Sequence, residues 1–159
     1  MRFFLDNNLA PKLARGFHQF VLGEHEVVHL RDRFSQETPD VEWMQQLADE
    51  SGWVILSGDV AIGRNPHEVE AWKAAGHTIF FLKAGWTNIE FWQQVQKLAR
   101  CFPNIIDCAR RSKPGESFIV TSKRKDQLVF RSLAILANGA NGMSDIEGKA
   151  AREAVSECG

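Results

Sequence analysis

Three aspartates stand at matching places in this 159-residue chain. Asp6 ends the apolar run Phe3-Phe4-Leu5. Asp59 follows Trp53-Val54-Ile55-Leu56 through Ser57-Gly58, and Asp40 opens a helical stretch after Thr38-Pro39. Taken alone, Asp6 reads as a helix cap as readily as a functional carboxylate. Taken together, the three fall where a parallel sheet binds ligands, outside the carboxyl ends of its strands. Carboxylates that converge there repel one another unless a cation neutralises them. Oxygen-only ligands suit Mg²⁺ or Mn²⁺ rather than zinc. Such an ion can activate water and stabilise the charge that develops at phosphorus during phosphodiester cleavage.

Other residues add to that chemistry. Helix N-termini near Asn8, Thr38 and Asn65 would turn backbone N–H groups toward phosphate oxygens, and Arg64 lies beside one of them. His67, at the same helix start, is the one histidine of five placed to meet a phosphate chain. From Arg110 to Arg131 there are seven basic residues and two acidic ones, with Lys113 next to Pro114-Gly115 as the one to test as a contact. A solvated hairpin explains that basic stretch equally. Covalent nucleophilic catalysis has no support, because no Gly-x-Ser-x-Gly elbow is present. No Walker A or Gly-x-Gly-x-x-Gly loop appears either. A phosphatase with Asp6 as nucleophile would want a second aspartate two residues on, and Asn8 stands there.

The elements that would position these residues are legible in the apolar pattern. Short continuous runs at 2–5, 26–30, 53–56 and 78–82 read as strands buried on both faces. Between them lie helical stretches: one from Asn7 or Asn8, one over 39–50 with Thr38 as N-cap and Pro39 as first residue, and one opened by Asn65-Pro66-His67-Glu68. A helix from about Asn88 to Cys101 carries Ile89, Trp92, Val95, Gln96 and Ala99 near one face, and a second short helix is expected over 104–111, beyond Pro103. In the 39–50 helix, residues placed at 100° intervals put Trp43, Met44, Leu47, Ala48 and Val41 on one arc, with Asp40 near its middle. Glu42 falls on the opposite arc. Asp40 therefore points inward, which is costly unless something pairs with it. Trp43 and Trp72 lie on apolar helix faces and read as core. Runs at 117–121 and 127–130 suggest a terminal hairpin. The fold class is a three-layer α/β/α with a mainly parallel sheet of four to five strands, plus that hairpin.

Composition is ordinary for a globular domain of this length, with 44% hydrophobic and 25% charged residues. A net charge of −1 neither favours nor excludes a polyanion, since a local basic patch can hide in it. Cys101, Cys108 and Cys158 match no zinc or disulfide spacing and fit a reducing cytoplasm. No apolar run approaches ~18 residues and no signal-peptide pattern opens the chain, so a membrane span or secretion is not expected.

Phe4-Leu5-Asp6-Asn7-Asn8-Leu9-Ala10-Pro11, Thr38-Pro39-Asp40-Val41-Glu42-Trp43, Val54-Ile55-Leu56-Ser57-Gly58-Asp59 and Arg110-Arg111-Ser112-Lys113-Pro114-Gly115, in that order, resemble the PIN-like domains of VapC-type toxins. The resemblance spans residues 1–130 as one domain and leaves 131–159 as a weakly structured or helical tail. It implies a metal-dependent ribonuclease with Mg²⁺ or Mn²⁺ as cofactor, RNA as substrate and a cognate antitoxin protein as partner; a homodimer is compatible with it. Asp6, Asp40 and Asp59 match the acidic motif positions as metal ligands and catalytic groups. Glu42 and Asp107 are second-tier candidates for a fourth acid. Asn8, Arg64, Asn65 and Lys113 are the candidate substrate contacts. The alternative is a non-catalytic PIN-like module that holds RNA or a partner protein in the same cleft.

Overall fold

The computed structural model describes residues 1–50, 52–59, 63, 65–83, 85–86, 88–122 and 128–132. The chain runs β1 (Arg2–Leu5), α1 (Pro11–Phe20), β2 (Glu26–His29), a 3-10 turn (Leu30–Asp32), α2 (Asp40–Ala48), β3 (Trp53–Ser57), α3 (Pro66–Ala74), β4 (Thr78–Leu82), α4 (Phe91–Arg111), β5 (Ser117–Ser122) and β6 (Leu128–Ser132). The strands form one sheet in the order β2-β1-β3-β4-β5-β6. The first five are parallel, and β6 returns antiparallel against β5. The expected hairpin therefore exists, but its first strand is the fifth parallel strand of the main sheet.

The apolar runs are continuous because each strand is buried on both faces. Alternate residues take opposite sides. Phe3, Leu5, Val54, Leu56, Phe80 and Leu82 pack with Leu13 and Phe17 of α1 and Leu98, Phe102 and Ile105 of α4. Phe4, Trp53, Ile55, Ile79 and Phe81 pack with Trp43, Met44 and Leu47 of α2 and with Val69 and Trp72 of α3. Trp43 stacks on Phe4 at 5.0 Å between ring centroids. Two helices thus cover each face, as the three-layer reading requires. The chain leaves β1 for β2 on one side and returns across β1 to β3 on the other, so the strand order reverses between β1 and β3. That switch point opens a crevice at the carboxyl edge of the sheet.

Three expected boundaries shift. α1 begins at Pro11, not at Asn7 or Asn8, because the Asp6 carboxylate accepts the Asn8 backbone N–H at 3.0 Å and holds residues 6–9 in a turn. The N-cap is Ala10, with no side-chain bond, and Pro11 supplies the preset φ of a first helical residue. α2 begins at Asp40 with Pro39, not Thr38, in the cap position. The two helices expected on either side of Pro103 are one 21-residue helix. Its buried stripe of Leu98, Cys101, Phe102, Ile105, Cys108 and Ala109 passes Pro103 without losing period, and Pro103 itself faces solvent. Packing of that stripe outweighs the missing N–H, a cost of about 3 kcal/mol in an isolated helix. Trp92, expected near the packed face, is 72% exposed.

Cys101 and Cys108 are buried and form no disulfide, and burial pushes the Cys101 thiol up to about 12. No helix among the described residues is long and apolar enough to cross a membrane. The tail expected at 131–159 lies, from residue 133 onward, outside the described residues.

Candidate metal and phosphate site

Parallel strands carry their C-terminal residues to one edge, and the helices that follow them start there. Asp6 follows β1, Asp59 follows β3, Asp40 opens α2 and Glu68 lies in the first turn of α3. Asp6 is only 2% exposed. Its Oδ2 accepts from Ser57 Oγ at 2.5 Å and from the Gly58 N–H at 3.1 Å, and its Oδ1 accepts from the Asn8 N–H. Asp6 thereby ties the end of β1 to the turn after β3, at the switch point itself. Burial still pushes its carboxyl above the ordinary carboxylate range, against the opposing pull of the Ser57, Gly58 and Asn8 bonds.

Asp40 is half-buried, as its inward arc predicts. The indole N–H of Trp43, one turn on, donates to Asp40 Oδ1 at 2.8 Å. So one partner of the inward carboxylate is a core tryptophan. Burial raises the Asp40 pKa, Trp43 lowers it, and the charge of Asp59 raises it again. Glu68 is partly buried, and its Oε1 accepts from Asn65 Nδ2 at 2.5 Å. Its pKa is raised by burial and by the charges of Asp40 and Asp59, against the Asn65 bond. The charge of Asp59 thus reaches Asp40, and the charges of both reach Glu68, while Asp6 holds the turn that carries Asp59.

Glu68 is the acid that sequence reasoning missed. It reads as the N3 residue of a near capping box, and its bond to Asn65 is of that kind. The signal that could have found it is the one applied to Asp40: a carboxylate in the first turn of a helix that follows a parallel strand lies at the carboxyl edge.

The other expected residues divide. Asn8 holds Asp6 through its N–H, with its Nδ2 at 3.5 Å from Oδ2. Asn65 caps α3, its side chain accepting the His67 N–H at 3.2 Å. His67 is exposed and borders a groove of about 440 Å³ between α2 and α3. Glu42 points to solvent and accepts from Gln46. Asp107 lies near the end of α4, ion-paired with Arg110 at 3.6 Å. Lys113 sits in the turn before β5, its N–H bonded to Glu116. Since α4 runs away from the carboxyl edge and β5 returns toward it, Asp107 and Lys113 stand at the opposite edge and are not brought to the acidic cluster. Arg64 lies outside the described residues.

Two further histidines, His29 at the end of β2 and His77 just before β4, are fully buried. His29 Nε2 lies 2.8 Å from the Leu9 carbonyl, and its Nδ1 accepts the Arg31 N–H, so the ring is neutral with its proton on Nε2. It fastens the far end of the Asp6–Leu9 turn. His77 Nε2 bonds the Met44 carbonyl of α2 at 3.1 Å. Burial lowers the pKa of both.

A family model described as a PIN like domain matches residues 1–84, from β1 through β4. The chain belongs to the PIN-like domain family. The matched segment carries the switch point and all four edge acids, Asp6, Asp40, Asp59 and Glu68. No curated protein and no solved structure matches the chain.

The donor set of this PIN-like domain is hard oxygen alone, the kind that Mg²⁺ and Mn²⁺ accept. Mutual repulsion among half-buried carboxylates is also what a cation relieves. Among the described residues, however, no group of three or more His, Cys, Asp or Glu side chains stands ready to hold one ion.

Proposed function

We propose that this PIN-like domain is a metal-dependent endoribonuclease acting in the cytoplasm, and the toxin of a toxin–antitoxin pair. The observation that carries the reading is the set of acids at one sheet edge: Asp59 follows β3 in the turn held by the buried Asp6, and Asp40 and Glu68 stand in the first turns of α2 and α3. Asp40 and Asp59 would hold Mg²⁺ or Mn²⁺, with Asp6 and Glu68 in support. The bound cation supplies an activated water and charge stabilisation at phosphorus.

The remaining work belongs to the chain. Trp43 fixes the Asp40 carboxylate through its indole N–H. Asp6 orients the Ser57-Gly58-Asp59 turn through Ser57 Oγ and the Gly58 N–H. The first turns of α2 and α3 aim backbone N–H groups at the same edge, where a phosphate is favoured by the helix dipoles. The crevice binds the phosphodiester across these groups and excludes water from its buried floor at Asp6.

One observation favours a second reading. Because no three-carboxylate group is assembled among the described residues, the same crevice would serve a non-catalytic module that holds RNA or a partner protein. Calorimetric titration with Mn²⁺ separates the two. The nuclease reading expects one site or two that weaken at least tenfold in Asp59→Asn, together with Mn²⁺-dependent RNA cleavage lost in the same variant. Cleavage that survives Asp59→Asn and Asp40→Asn sinks it. For the toxin role, induced expression should arrest growth and Asp59→Asn should not.

A further inference from the structure

α4 is longer than the sheet it covers. Its 21 residues span about 31 Å at ~1.5 Å per residue, whereas a five-residue strand spans about 17 Å. The excess lies at the start: the first fully buried side chain is Leu98, and the residues before it stand over the carboxyl edge. Lys12, in the first turn of α1 just past the Asp6 turn, places its Nζ 3.8 Å from the centre of the Phe91 ring. Lys97 Nζ donates to the Gly85 carbonyl at 2.9 Å, and Trp86 is buried below. The overhang is thus a propped rim on the α1 side of the crevice, across from the acids on the α2 and α3 side.

Trp92 tops this rim at 72% exposure, its ring 5.4 Å from that of Phe91. An indole left this open is unusual. Its surroundings are not those of a protein interface, which needs a contiguous apolar patch. Gln93, Gln96 and Glu90 beside it are exposed and polar. Lys12, Lys83 and Lys97 border the rim, and Glu90 is the one acid between residues 83 and 97. An exposed indole with lysines on the neighbouring turns, at the same sheet edge as the acids, matches a strand of nucleotides: bases stack on aromatic rings while cations track phosphates.

We infer that Trp92 is a base-stacking platform for single-stranded RNA, binding a nucleotide that flanks the phosphate in the crevice. This rests on the nuclease reading above. Lys12 and Lys83 hold the adjoining phosphates. A duplex has no free base to offer, so the platform selects single strands.

The test is fluorescence anisotropy of the full chain in EDTA with a labelled, roughly twelve-nucleotide single-stranded RNA and with the same RNA as a duplex. Trp92→Ala should weaken single-strand binding about five- to a hundredfold, and Trp92→Phe less than about threefold. Duplex binding should be unchanged in both. Lys12→Gln should flatten the dependence of log Kd on log salt by about one phosphate contact. Because Trp92 is exposed, its variants should keep the wild-type melting temperature. Wild-type binding that Trp92→Ala leaves unchanged overturns the platform and leaves the nuclease reading standing. If wild type neither binds nor cleaves RNA, the nuclease reading fails first. If Trp92→Ala instead turns a dimer into a monomer in sedimentation, the rim joins copies of this chain and the inference is wrong.

Discussion

Asp6→Asn keeps the shape of the buried side chain and removes its charge. The asparagine carbonyl can still accept from Ser57 Oγ and the Gly58 N–H, but its NH₂ then faces the Asn8 N–H that Oδ1 accepts in the wild type. Losing that bond costs about 1–2 kcal/mol. The charge acts with the opposite sign. The folded pKa of Asp6 is raised by burial, so its contribution is favourable below the unfolded value of ~3.9 and is lost as pH rises through the folded value. Each unit of that rise moves the balance toward the variant by about 1.4 kcal/mol. In EDTA the melting temperature of Asp6→Asn should therefore gain on wild type as pH rises from about 4 through the raised folded pKa of Asp6, and then level off. Mn²⁺ reverses the order. At about 100 times its Kd it stabilises wild type by about 2.7 kcal/mol, and at ~2–4 °C per kcal/mol for a domain near this size that is about 5–10 °C. Asp6→Asn, which lacks the supporting negative charge, should show a smaller shift. Scanning calorimetry in both buffers is the assay. A gap that stays flat with pH in EDTA refutes the burial argument, and equal Mn²⁺ shifts in the two proteins remove Asp6 from the metal site.

Three further perturbations probe what holds the crevice in shape. His29 has a lowered folded pKa, so its contribution is complete above ~6.5 and falls away as pH drops below that value; His29→Gln should cost about 2–4 kcal/mol at neutral pH and flatten the decline of urea stability across that window. Trp43→Phe removes the N–H that lowers the Asp40 pKa, so the acid limb of the cleavage-rate profile should move to higher pH, with a stability loss of about 1–3 kcal/mol from the smaller ring. An acid limb that does not move would mean Asp40 is not the titrating group. Pro103→Ala should stabilise the chain by about 1–3 kcal/mol in urea unfolding, since it restores an N–H inside α4 at an exposed position.

The layered fold was legible because strands buried on both faces leave no polar residue between apolar ones, and helix starts carry Asn-Pro or Pro at fixed places. The edge acids were legible for the same reason: in a parallel sheet, sequence order places the end of every strand on one side. What escaped had long-range causes. Whether Pro103 breaks α4 depends on the summed burial of Leu98 through Ala109, which no local rule at a proline reports. The burial of His29 and His77 depends on carbonyls supplied by Leu9 and Met44, each from another element. Glu68 was hidden behind a sound local explanation, since a capping residue and a site residue occupy the same place at a helix start.

That last overlap has a physical origin that extends across the crevice. Helix starts gather N–H groups and favour negative charge, so the α2 and α3 face of the edge accumulates Asp40 and Glu68 for reasons of helix stability alone. Such a face repels a polyanion. A phosphate chain can approach it only where a cation offsets the acids or where the opposite wall attracts the flanking phosphates. The first turn of α1 and the end of β4 supply that second condition with Lys12 and Lys83, beside the open indole at Trp92 on the overhanging start of α4. The two walls make separable demands: charge removed from the acidic wall should change metal dependence, and changes on the lysine wall should alter RNA affinity with metal absent. A domain that showed the first dependence without the second would hold a metal for some purpose other than cutting RNA.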